Sequence, residues 1–458
     1  MTPAARIKAS IEIFQAIQTA SVPMDNIIGD YMRNRKYIGS KDRRYVAGLC
    51  YDIMRAYAKL KWWIARAGLD FDARSTVFAG LIFLEQRDAE YMQMIFNGDK
   101  YSPETLDSAE NKALDMLCGQ AIVHDDMPEF VRFEVPEQYL AEVKSIYGAD
   151  FEEEIQAYSG EAALDLRVNV AKIAREDALN SLRKEDISAK PHQFSPWGIR
   201  LKQKVFLSTT KTFKKRLVDI QDEGSQLIAL ACNAQPSMQV LDYCAGAGGK
   251  TLALANAMGC KGRVVAMDID SRRLAKAKPR FKRAGVSDII ETRGMEDQKN
   301  RKWLRRQKGT FDVTLLDVPC SGTGTWRRNP DMRWYHYGPQ LEELLETQAD
   351  ILDKVADTVK IGGRLVYATC SLLRQENEDQ VESFLARNKD YRLVPLVEGW
   401  PEGIEPPCEG DYMRLSPLKH GTDGFFAAIM ERIGGEITHR SSPRYSADEE
   451  ISPDEDLD

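Results

Sequence analysis

The chain has 458 residues, a formal net charge of −7 and eight cysteines. It contains no run of about 18 apolar residues and no apolar signal-peptide core at its start, so neither a transmembrane helix nor a secretory leader is expected. The cysteines have no regular spacing, no Cys-x-x-Cys pair occurs and the five histidines do not cluster with the cysteines. These features exclude a disulfide scaffold and a zinc site, and they predict a reduced, soluble, cytoplasmic protein without metal.

The negative charge is unevenly distributed along the chain. Residues 1–66 carry 12 Lys or Arg against 5 Asp or Glu, whereas residues 67–160 carry 6 against 20. Residues 434–458 carry two arginines against eight acidic groups and are predicted to form an acidic disordered tail. Because phosphate binding depends on local basic surface, the total charge does not exclude a nucleic-acid partner.

The N-terminal part, residues 1–120, is predicted to be all helical. Its apolar residues recur at helical spacing, as do Ile7, Ile11, Phe14 and Ile17. Two basic clusters, residues 33–36 and 41–44, interrupt these patterns. They are either solvated helix ends or a surface that contacts phosphates, and charge alone leaves both readings open.

Residues 121–216 show a mixed pattern that predicts a small α+β subdomain. Residues 164–170 alternate apolar and polar side chains as a strand does, and residues 175–187 have a helical pattern. Four basic residues follow, Lys211, Lys214, Lys215 and Arg216. They are expected either to contact phosphates or to form a solvated loop.

Residues 217–433 are predicted to form an α/β domain whose first strand, residues 238–242, leads into a glycine-rich turn and a helix. The turn fails the P-loop pattern because Cys244 stands where the first glycine is needed, and it fails the dinucleotide pattern because Thr251 replaces the third. What remains is a turn that lets a ligand approach the backbone at a helix N-terminus, or a plain tight turn. Asp268 ends strand two, 20 residues after Gly248, and an acidic residue at that distance accepts ribose hydroxyls.

Two later strands each end in a cysteine. Strand four, residues 311–317, continues as Asp317-Val-Pro-Cys320, and strand five ends in Thr369-Cys370-Ser371. Ligands of open α/β sheets bind outside the carboxyl ends of the strands, which makes both thiols candidates for chemistry. The alternative is that both cysteines are small buried hydrophobic residues.

Basic and aromatic residues surround these motifs. Residues 271–283 carry seven Lys or Arg and no acid, and residues 299–308 carry six more. Each run is either a solvated helix face or part of a track for an RNA backbone. The Arg- and Trp-rich loop, residues 326–334, is predicted to stack or hold a single-stranded base.

The paired motifs Asp317-x-Pro-Cys320 and Thr369-Cys370-Ser371 resemble the Sun/RsmB-type family of S-adenosylmethionine-dependent RNA cytosine-C5 methyltransferases. The turn at 244–251 and the segments 40–55, 326–334 and 422–426 are also similar to that family. The resemblance implies a doubly wound Rossmann-like methyltransferase sheet in residues 217–433. It also implies an all-α NusB-like RNA-binding domain in residues 1–120 and an RNA-recognition-like subdomain in residues 121–216.

The resemblance also implies the chemistry and its residues. A thiolate that adds to C6 of cytosine makes C5 reactive toward a methyl donor, which is covalent catalysis. Cys370 is implied as this nucleophile and Cys320 as the residue that assists its release, while Asp317 holds the base and Lys250 orients Asp317 or the substrate. The residues implied to bind S-adenosylmethionine are Cys244, Ala245, Gly246, Ala247, Gly248, Gly249, Lys250, Asp268, Arg273 and Asp317.

The chain departs from the family pattern at two points. Ala247 replaces the proline of the turn, and Met295-Glu296 follow Gly294 where the family has an Asp near the adenine. We expect Glu296 or a backbone amide to serve there.

The expected substrate is 16S ribosomal RNA, with transfer RNA as the alternative. A catalytically idle RNA-binding assembly factor is a further alternative, but both cysteines, Asp317 and the cofactor turn are intact. The protein is expected to be a monomer.

Overall fold

The computed structural model describes residues 1–203 and 205–435. The predicted acidic tail lies outside the described residues, apart from Gly434 and Gly435. Within the described ranges, no helix is long and apolar enough to cross a membrane. Ten helices precede the first strand: α1 (Pro3–Thr19), α2 (Met24–Asn34), α3 (Ser40–Arg55), α4 (Tyr57–Arg66), α5 (Ala73–Phe83), α6 (Ala89–Ile95), α7 (Ser108–Leu117), α8 (Glu129–Arg132), α9 (Glu137–Tyr147) and α10 (Phe151–Ser159).

The helical prediction for the N-terminal region is confirmed. The residues at helical spacing in α1 face inward, with Ile7, Phe14 and Ile17 fully buried. They pack against α3 and α5 in one apolar cluster that extends from Ala4 to Val131. Burial of each such side chain stabilises the fold by about 1.5–3 kcal/mol, so packing rather than helix propensity holds this region together.

The small α+β unit follows α10. It consists of β1 (Leu164–Val168), α11 (Arg175–Arg183), β2 (Ala189–Pro191), β3 (Gly198–Leu201), α12 (Lys211–Lys214) and β4 (Val218–Ile220). Its four strands are antiparallel in the order β2-β3-β1-β4. The predicted strand and helix are both present, although each ends earlier than its periodicity suggested.

The C-terminal part contains the large sheet. Its elements are α13 (Glu223–Ala231), β5 (Gln239–Asp242), α14 (Gly249–Ala257), β6 (Arg263–Asp268), α15 (Ser271–Ala284), β7 (Ile290–Gly294), α16 (Gln298–Arg305), β8 (Phe311–Asp317), α17 (Leu341–Ala356), β9 (Val359–Thr369), α18 (Glu378–Arg387), β10 (Tyr391–Val394), α19 (Leu396–Gly399), β11 (Met413–Leu415), α20 (Pro417–His420) and β12 (Phe425–Arg432).

The sheet order is β10-β12-β9-β8-β5-β6-β7, with β11 paired to β12. The five strands β5 to β9 are parallel, and β12 runs antiparallel to β9, β10 and β11. Successive residues of β5 face opposite sides, because Val240 packs with α13 and α14 while Leu241 packs with α17 and α18. Helices therefore cover both faces, and the predicted doubly wound Rossmann-like fold is confirmed.

The topology fixes where a ligand can bind. The chain proceeds from β5 outward to β6 and β7, then returns to the other side of β5 as β8. This reversal is the switch point at which ligands of open α/β sheets bind, beyond the carboxyl ends of the strands. The glycine-rich turn after β5 and Asp317 at the end of β8 lie on either side of it.

The Arg- and Trp-rich loop, residues 326–334, differs from the prediction that it stacks a base. Trp326 is fully buried and lies against Tyr158 and Tyr139 of the helical region. The guanidinium of Arg333 is also buried and donates to the backbone carbonyls of Tyr158 and Glu134. The expectation is wrong for Trp326, because apolar burial against α10 is available to the indole ring.

Candidate active site

The loops after β8 and β9 bring the two predicted cysteines together. The strands are adjacent and parallel, with Asp317 paired with Ala368, so both chains leave the sheet at the same edge. Cys320 and Cys370 are free thiols whose Sγ atoms lie 3.4 Å apart. A single planar base entering at this edge can meet both sulfur atoms.

A glycine lets the two loops approach each other. The Gly324 N–H donates to the Cys370 carbonyl at 2.9 Å, and the Gly324 carbonyl accepts from the Gly424 N–H at 2.7 Å. A Cβ atom on Gly324 would lie 2.1 Å from the Gly424 carbonyl oxygen, which is closer than any side chain can come. The loop after β8 is therefore fixed against both the Cys370 loop and the start of β12.

A fully buried carboxylate, Glu376, connects the two cysteine loops. It accepts hydrogen bonds from the Ser321 N–H at 2.8 Å, from the Gln348 amide at 3.0 Å and from the hydroxyls of Ser321 and Ser371. Each of these serines directly follows one of the cysteines. Sequence reasoning missed this role because the hydrogen bonds cross between two loops that only the sheet brings together.

Lys250 and Asp317 form an ion pair beside the cysteines. The Nζ atom of Lys250, in the first turn of α14, lies 2.7 Å from Oδ2 of Asp317. Burial lowers the pKa of Lys250, but the charge and hydrogen bond of Asp317 outweigh it and raise the pKa above its usual value, with a further contribution from Cys370. Lys250 is therefore a cation at neutral pH, and its charge acts on Cys370.

The two thiols have different surroundings. The pKa of Cys320 is raised well above its usual value by the hydrogen bond with Cys370, then by burial and by the negative charges of Cys370 and Glu376. Cys320 therefore stays a neutral thiol at neutral pH. The cation Lys250 acts on the Cys370 side and the carboxylate Glu376 on the Cys320 side.

The glycine-rich turn is built for close approach by a ligand. Its Gly246 N–H donates to Oδ2 of Asp268 at 2.7 Å, which fixes the turn after β5 to the end of β6. Gly248 has φ +77°, and a Cβ atom there would lie 2.5 Å from the Phe281 ring, so only glycine fits. A side chain on Gly246 would likewise meet the Arg273 guanidinium at 2.7 Å. The turn is thus a backbone-lined cradle beside a buried carboxylate, which suits a ligand carrying a ribose.

The remaining residues predicted to bind the cofactor line the same turn. The Ala245 N–H donates to the Met267 carbonyl at 2.8 Å, and the Ala247 carbonyl accepts from Arg280 at 2.7 Å. The Cys244 side chain is largely buried, and burial raises its pKa well above the usual value, so it is not a reactive thiol. Gly249 opens α14.

Asp242, at the end of β5, is a second buried carboxyl that the sequence did not single out. Its Oδ2 accepts from the Thr251 hydroxyl at 2.6 Å, and its Oδ1 has no hydrogen-bond partner in the described part of the chain. Burial raises its pKa from 3.8 to about 7. Its place just before the glycine-rich turn was the signal that could have identified it.

The segment expected near the adenine, Met295-Glu296, has no aspartate of its own, and two hydrogen bonds hold it in place. The Met295 N–H donates to the Asp268 carbonyl at 2.8 Å, and Glu296 accepts from the Ser271 hydroxyl at 2.7 Å. That Glu296 or a backbone amide contacts the adenine stays a prediction. Among residues 1–203 and 205–435, no group of three or more His, Cys, Asp or Glu side chains is arranged to hold a metal ion.

Comparisons with known proteins identify related families. A family model described as "16S rRNA methyltransferase RsmB/F" matches residues 229–431, and one described as "Methyltr_RsmF/B-like, ferredoxin-like domain" matches residues 135–208. "Ribosomal RNA small subunit methyltransferase B" of Yersinia enterocolitica is 30% identical over 376 residues, which cover 79% of this chain and 86% of that protein.

Two further matches extend the comparison. A Synechocystis protein named "Probable ribosomal RNA small subunit methyltransferase B" is 32% identical over 303 residues, covering 66% of this chain and 67% of that protein. The crystal structure of PH0851 superimposes with a TM-score of 0.75 and 24% identity over 94% of this chain and 99% of that chain. At that identity, the structural match supports the fold alone.

Proposed function

The chain belongs to the 16S rRNA methyltransferase RsmB/F family, and we propose that it methylates C5 of a cytosine through a covalent bond to Cys370. At the coarser level it is an S-adenosylmethionine-dependent methyltransferase of small-subunit ribosomal RNA. The single observation that carries the finer proposal is the pair of free thiols 3.4 Å apart beside the Lys250–Asp317 ion pair.

S-adenosylmethionine, when bound, supplies an electrophilic methyl group. The residues that would hold it are the backbone of the 244–249 turn, the Asp268 carboxylate and Arg273, whose Nη1 lies 3.8 Å from Asp268. The two oxygens of Asp268 already accept backbone N–H groups from Gly246 and Asp270, which orients the carboxylate before a ribose arrives. Their remaining lone pairs are available to the ribose hydroxyls.

Cys370 is the proposed nucleophile because a cation acts on it and a second thiol lies within hydrogen-bonding distance. The ammonium of Lys250 acts on it, and Cys320 as a neutral thiol can donate a hydrogen bond to its thiolate. Addition of this thiolate forms a C6–S bond and moves electron density to C5, which then accepts the methyl group. Covalent catalysis thereby replaces one difficult step by two easier ones.

Asp317 and Lys250 are proposed to hold the base during addition. Asp317 is the more exposed member of the pair, with 32% of its side chain accessible against 11% for Lys250. Its free lone pairs can accept from the amino group of cytosine and from N3 once N3 has taken a proton from solvent during addition. N3 returns that proton to solvent when the C6–S bond breaks, and until then the carboxylate stabilises the positive charge in the ring. The ion pair with Lys250 keeps the Asp317 carboxylate oriented for that contact.

Cys320 is proposed to complete the reaction. The hydrogen bond with Cys370 and its charge raise the pKa of Cys320. Once the sulfur of Cys370 is bonded to C6, it no longer carries a charge, and the pKa of Cys320 falls. Cys320 then loses its proton to solvent and takes the proton of C5. The C6–S bond breaks, Cys370 is restored as a thiolate, and one proton has been exchanged for one methyl group.

The rest of the chain is proposed to select and hold the RNA. We assign residues 1–120 to a NusB-like RNA-binding domain, 121–216 to an RNA-recognition-like subdomain and 217–433 to catalysis. We also propose a cytoplasmic monomer, consistent with action on ribosomal RNA.

The test is to identify the methylated nucleoside. The full chain is incubated with labelled S-adenosylmethionine and either a 16S ribosomal RNA transcript or a transfer RNA pool, and the RNA is then digested to nucleosides. Label in 5-methylcytidine from the 16S transcript is the expected result. Label in another nucleoside contradicts the cytosine assignment, preferential labelling of the transfer RNA contradicts the substrate, and no label supports an idle assembly factor.

A further inference from the structure

A cleft lies outside the cysteine site, between the helical region and the rest of the protein. Its volume is about 650 Å³, within the range of roughly 300–1,000 Å³ that small-molecule sites span. One wall is formed by α2 and α3 with Arg43, Arg44 and Tyr51, and the opposite wall by the chain around Leu164 and Phe206. The cleft therefore has room for a nucleotide and is lined by three separate parts of the chain.

The charge of the cleft favours an anion. Five arginines and the carboxyl groups of Asp25 and Glu161 line it. Three of these arginines, Arg55, Arg327 and Arg328, pair with carboxylates, so Arg43 and Arg44 are the residues that favour an anion. Within the described residues, Arg43 donates to the backbone carbonyls of Ile38 and Arg35 and forms no ion pair, and Arg44 forms neither a hydrogen bond nor an ion pair. The positive charges of these two side chains are thus not neutralised by a carboxylate of the described chain, and a phosphate can approach them.

Two aromatic rings supply a stacking surface in the same cleft. Phe206 is 61% exposed, and the Arg44 guanidinium lies 5.8 Å from its centroid. Tyr51 has the Arg55 guanidinium at 5.5 Å from its centroid. Unpaired RNA bases are bound by such combinations of aromatic rings and guanidinium planes.

A series of contacts links the cleft to the cysteine site. Its third side is formed by Arg327 and Arg328, which belong to the same loop as Cys320. Both arginines pair with Asp423, which precedes Gly424 and Phe425, and the Phe425 ring lies 5.8 Å from Nζ of Lys250. An RNA strand whose target base enters between the cysteines can therefore continue over this loop toward the cleft.

We propose that this cleft binds an unpaired nucleotide of the substrate RNA near the target cytosine, with its base on Phe206 and a phosphate on Arg43 and Arg44. The proposal rests on the proposed function in one respect, that the substrate is RNA. It adds a second recognition point, so the enzyme distinguishes its target by a flanking base held apart from the reacting one.

The test measures RNA binding by cleft variants against matched controls in the full chain. Phe206→Ala is compared with Tyr101→Ala, an exposed ring outside the cleft, and Arg44→Ala with Arg132→Ala, whose guanidinium lies 5.7 Å from the Phe133 ring. We expect each cleft variant to raise the Kd for a 16S transcript roughly fivefold or more, with Phe206→Tyr close to the parent, as base–aromatic stacking predicts. Calorimetric binding of S-adenosylmethionine should not change.

A cross-linking measurement keeps this proposal separate from the proposed chemistry. A 16S transcript containing 4-thiouridine is irradiated with the protein, and the cross-linked peptides are identified by mass spectrometry. Cross-links at Phe206 or Tyr51 support the cleft whether or not the RNA carries 5-methylcytidine, whereas failure of methylation overturns only the proposed function. Cleft variants that bind RNA as the controls do, with cross-links confined to other peptides, overturn the proposal and assign the cleft to a different partner.

Discussion

At the scale of single residues, a variant of Glu376 tests whether its hydrogen bonds to Ser321, Ser371 and Gln348 position the two cysteines. Glu376→Ala removes the acceptor shared by Ser321, Ser371 and Gln348, so both cysteine loops lose their common anchor. Because a misplacement of about 1 Å can cost roughly 100-fold in rate, we expect kcat to fall about 10- to 100-fold. The Kd for S-adenosylmethionine should not change, since the glycine-rich turn does not contact Glu376.

The matched control for Glu376 is Glu154→Ala. Glu154 is also a fully buried carboxylate, and it accepts from the Ser416 hydroxyl and the Leu418 N–H, away from the cysteine loops. Both variants lose a buried acceptor, so a loss of kcat that follows from destabilisation alone would be seen in both. Equal kcat values in the two variants would show that Glu376 has no positioning role.

Asp242 predicts a dependence of stability on pH. Burial raises its pKa from 3.8 to about 7, so the folded state binds a proton that the unfolded state has already lost across this interval. Protonated Asp242 therefore contributes fully to the free energy of unfolding below pH 3.8, and this contribution is lost as the pH rises to about 7. One pKa unit corresponds to about 1.4 kcal/mol, which limits the effect to a few kcal/mol.

The measurement is urea unfolding of Asp242→Asn and of the parent chain at pH 5 and pH 8. The asparagine keeps the size of the side chain but carries no charge at either pH. We expect the variant to gain stability relative to the parent between pH 5 and pH 8. A constant difference across this range would show that Asp242 does not titrate there.

At the scale of elements, the loop at residues 326–337 joins the Cys320 loop to the helical region. Arg333 donates to the carbonyls of Tyr158 and Glu134, Asp331 accepts from the Met24 N–H at 2.9 Å, and Tyr335 pairs with Tyr57. Arg333→Ala should therefore lower the free energy of unfolding by about 2–3 kcal/mol, because it removes charge-assisted hydrogen bonds to buried carbonyls.

Arg387→Ala is the control for this loop. Arg387 is exposed and pairs with Asp353 on the surface, where such an ion pair contributes at most about 1 kcal/mol. Urea unfolding of the two variants should show a clearly larger loss for Arg333→Ala. Equal losses would mean that the loop contributes little to the contact between the two regions.

The same loop shows why part of the fold could not be predicted. The strands β6, β8 and β9 follow from apolar runs in the sequence, and so does their burial on both faces. In the sequence, by contrast, Trp326 and Arg333 resemble residues of a nucleic-acid-binding surface. Only the structure shows that they pack against α10. Their burial depends on contacts between residues more than 150 positions apart, for which the local sequence carries no signal.

At the scale of the whole molecule, the proximity of Cys320, Cys370, Lys250 and Asp317 follows from sequence because each ends or follows an element of one sheet. The sequence does not predict the hydrogen bonds of Glu376 to both cysteine loops, the buried carboxyl of Asp242 or the cleft beside Phe206. Each of these depends on how loops or separate regions meet. Removal of residues 1–120 would also uncover Trp334 and Tyr335, which pack against Tyr57. The intact chain is therefore the proper object for functional tests.

The most direct test of the central claim separates the two cysteines by trapping the covalent species. Cys320→Ala and Cys370→Ala are each incubated with S-adenosylmethionine and the 16S transcript, then resolved by denaturing electrophoresis. We predict that Cys320→Ala accumulates a protein–RNA adduct, because attack and methylation proceed but release fails, and that Cys370→Ala forms no adduct and no 5-methylcytidine. An adduct trapped by Cys370→Ala instead, or two active variants that differ only by packing losses of about 1 kcal/mol, would contradict the assignment of Cys370 as nucleophile.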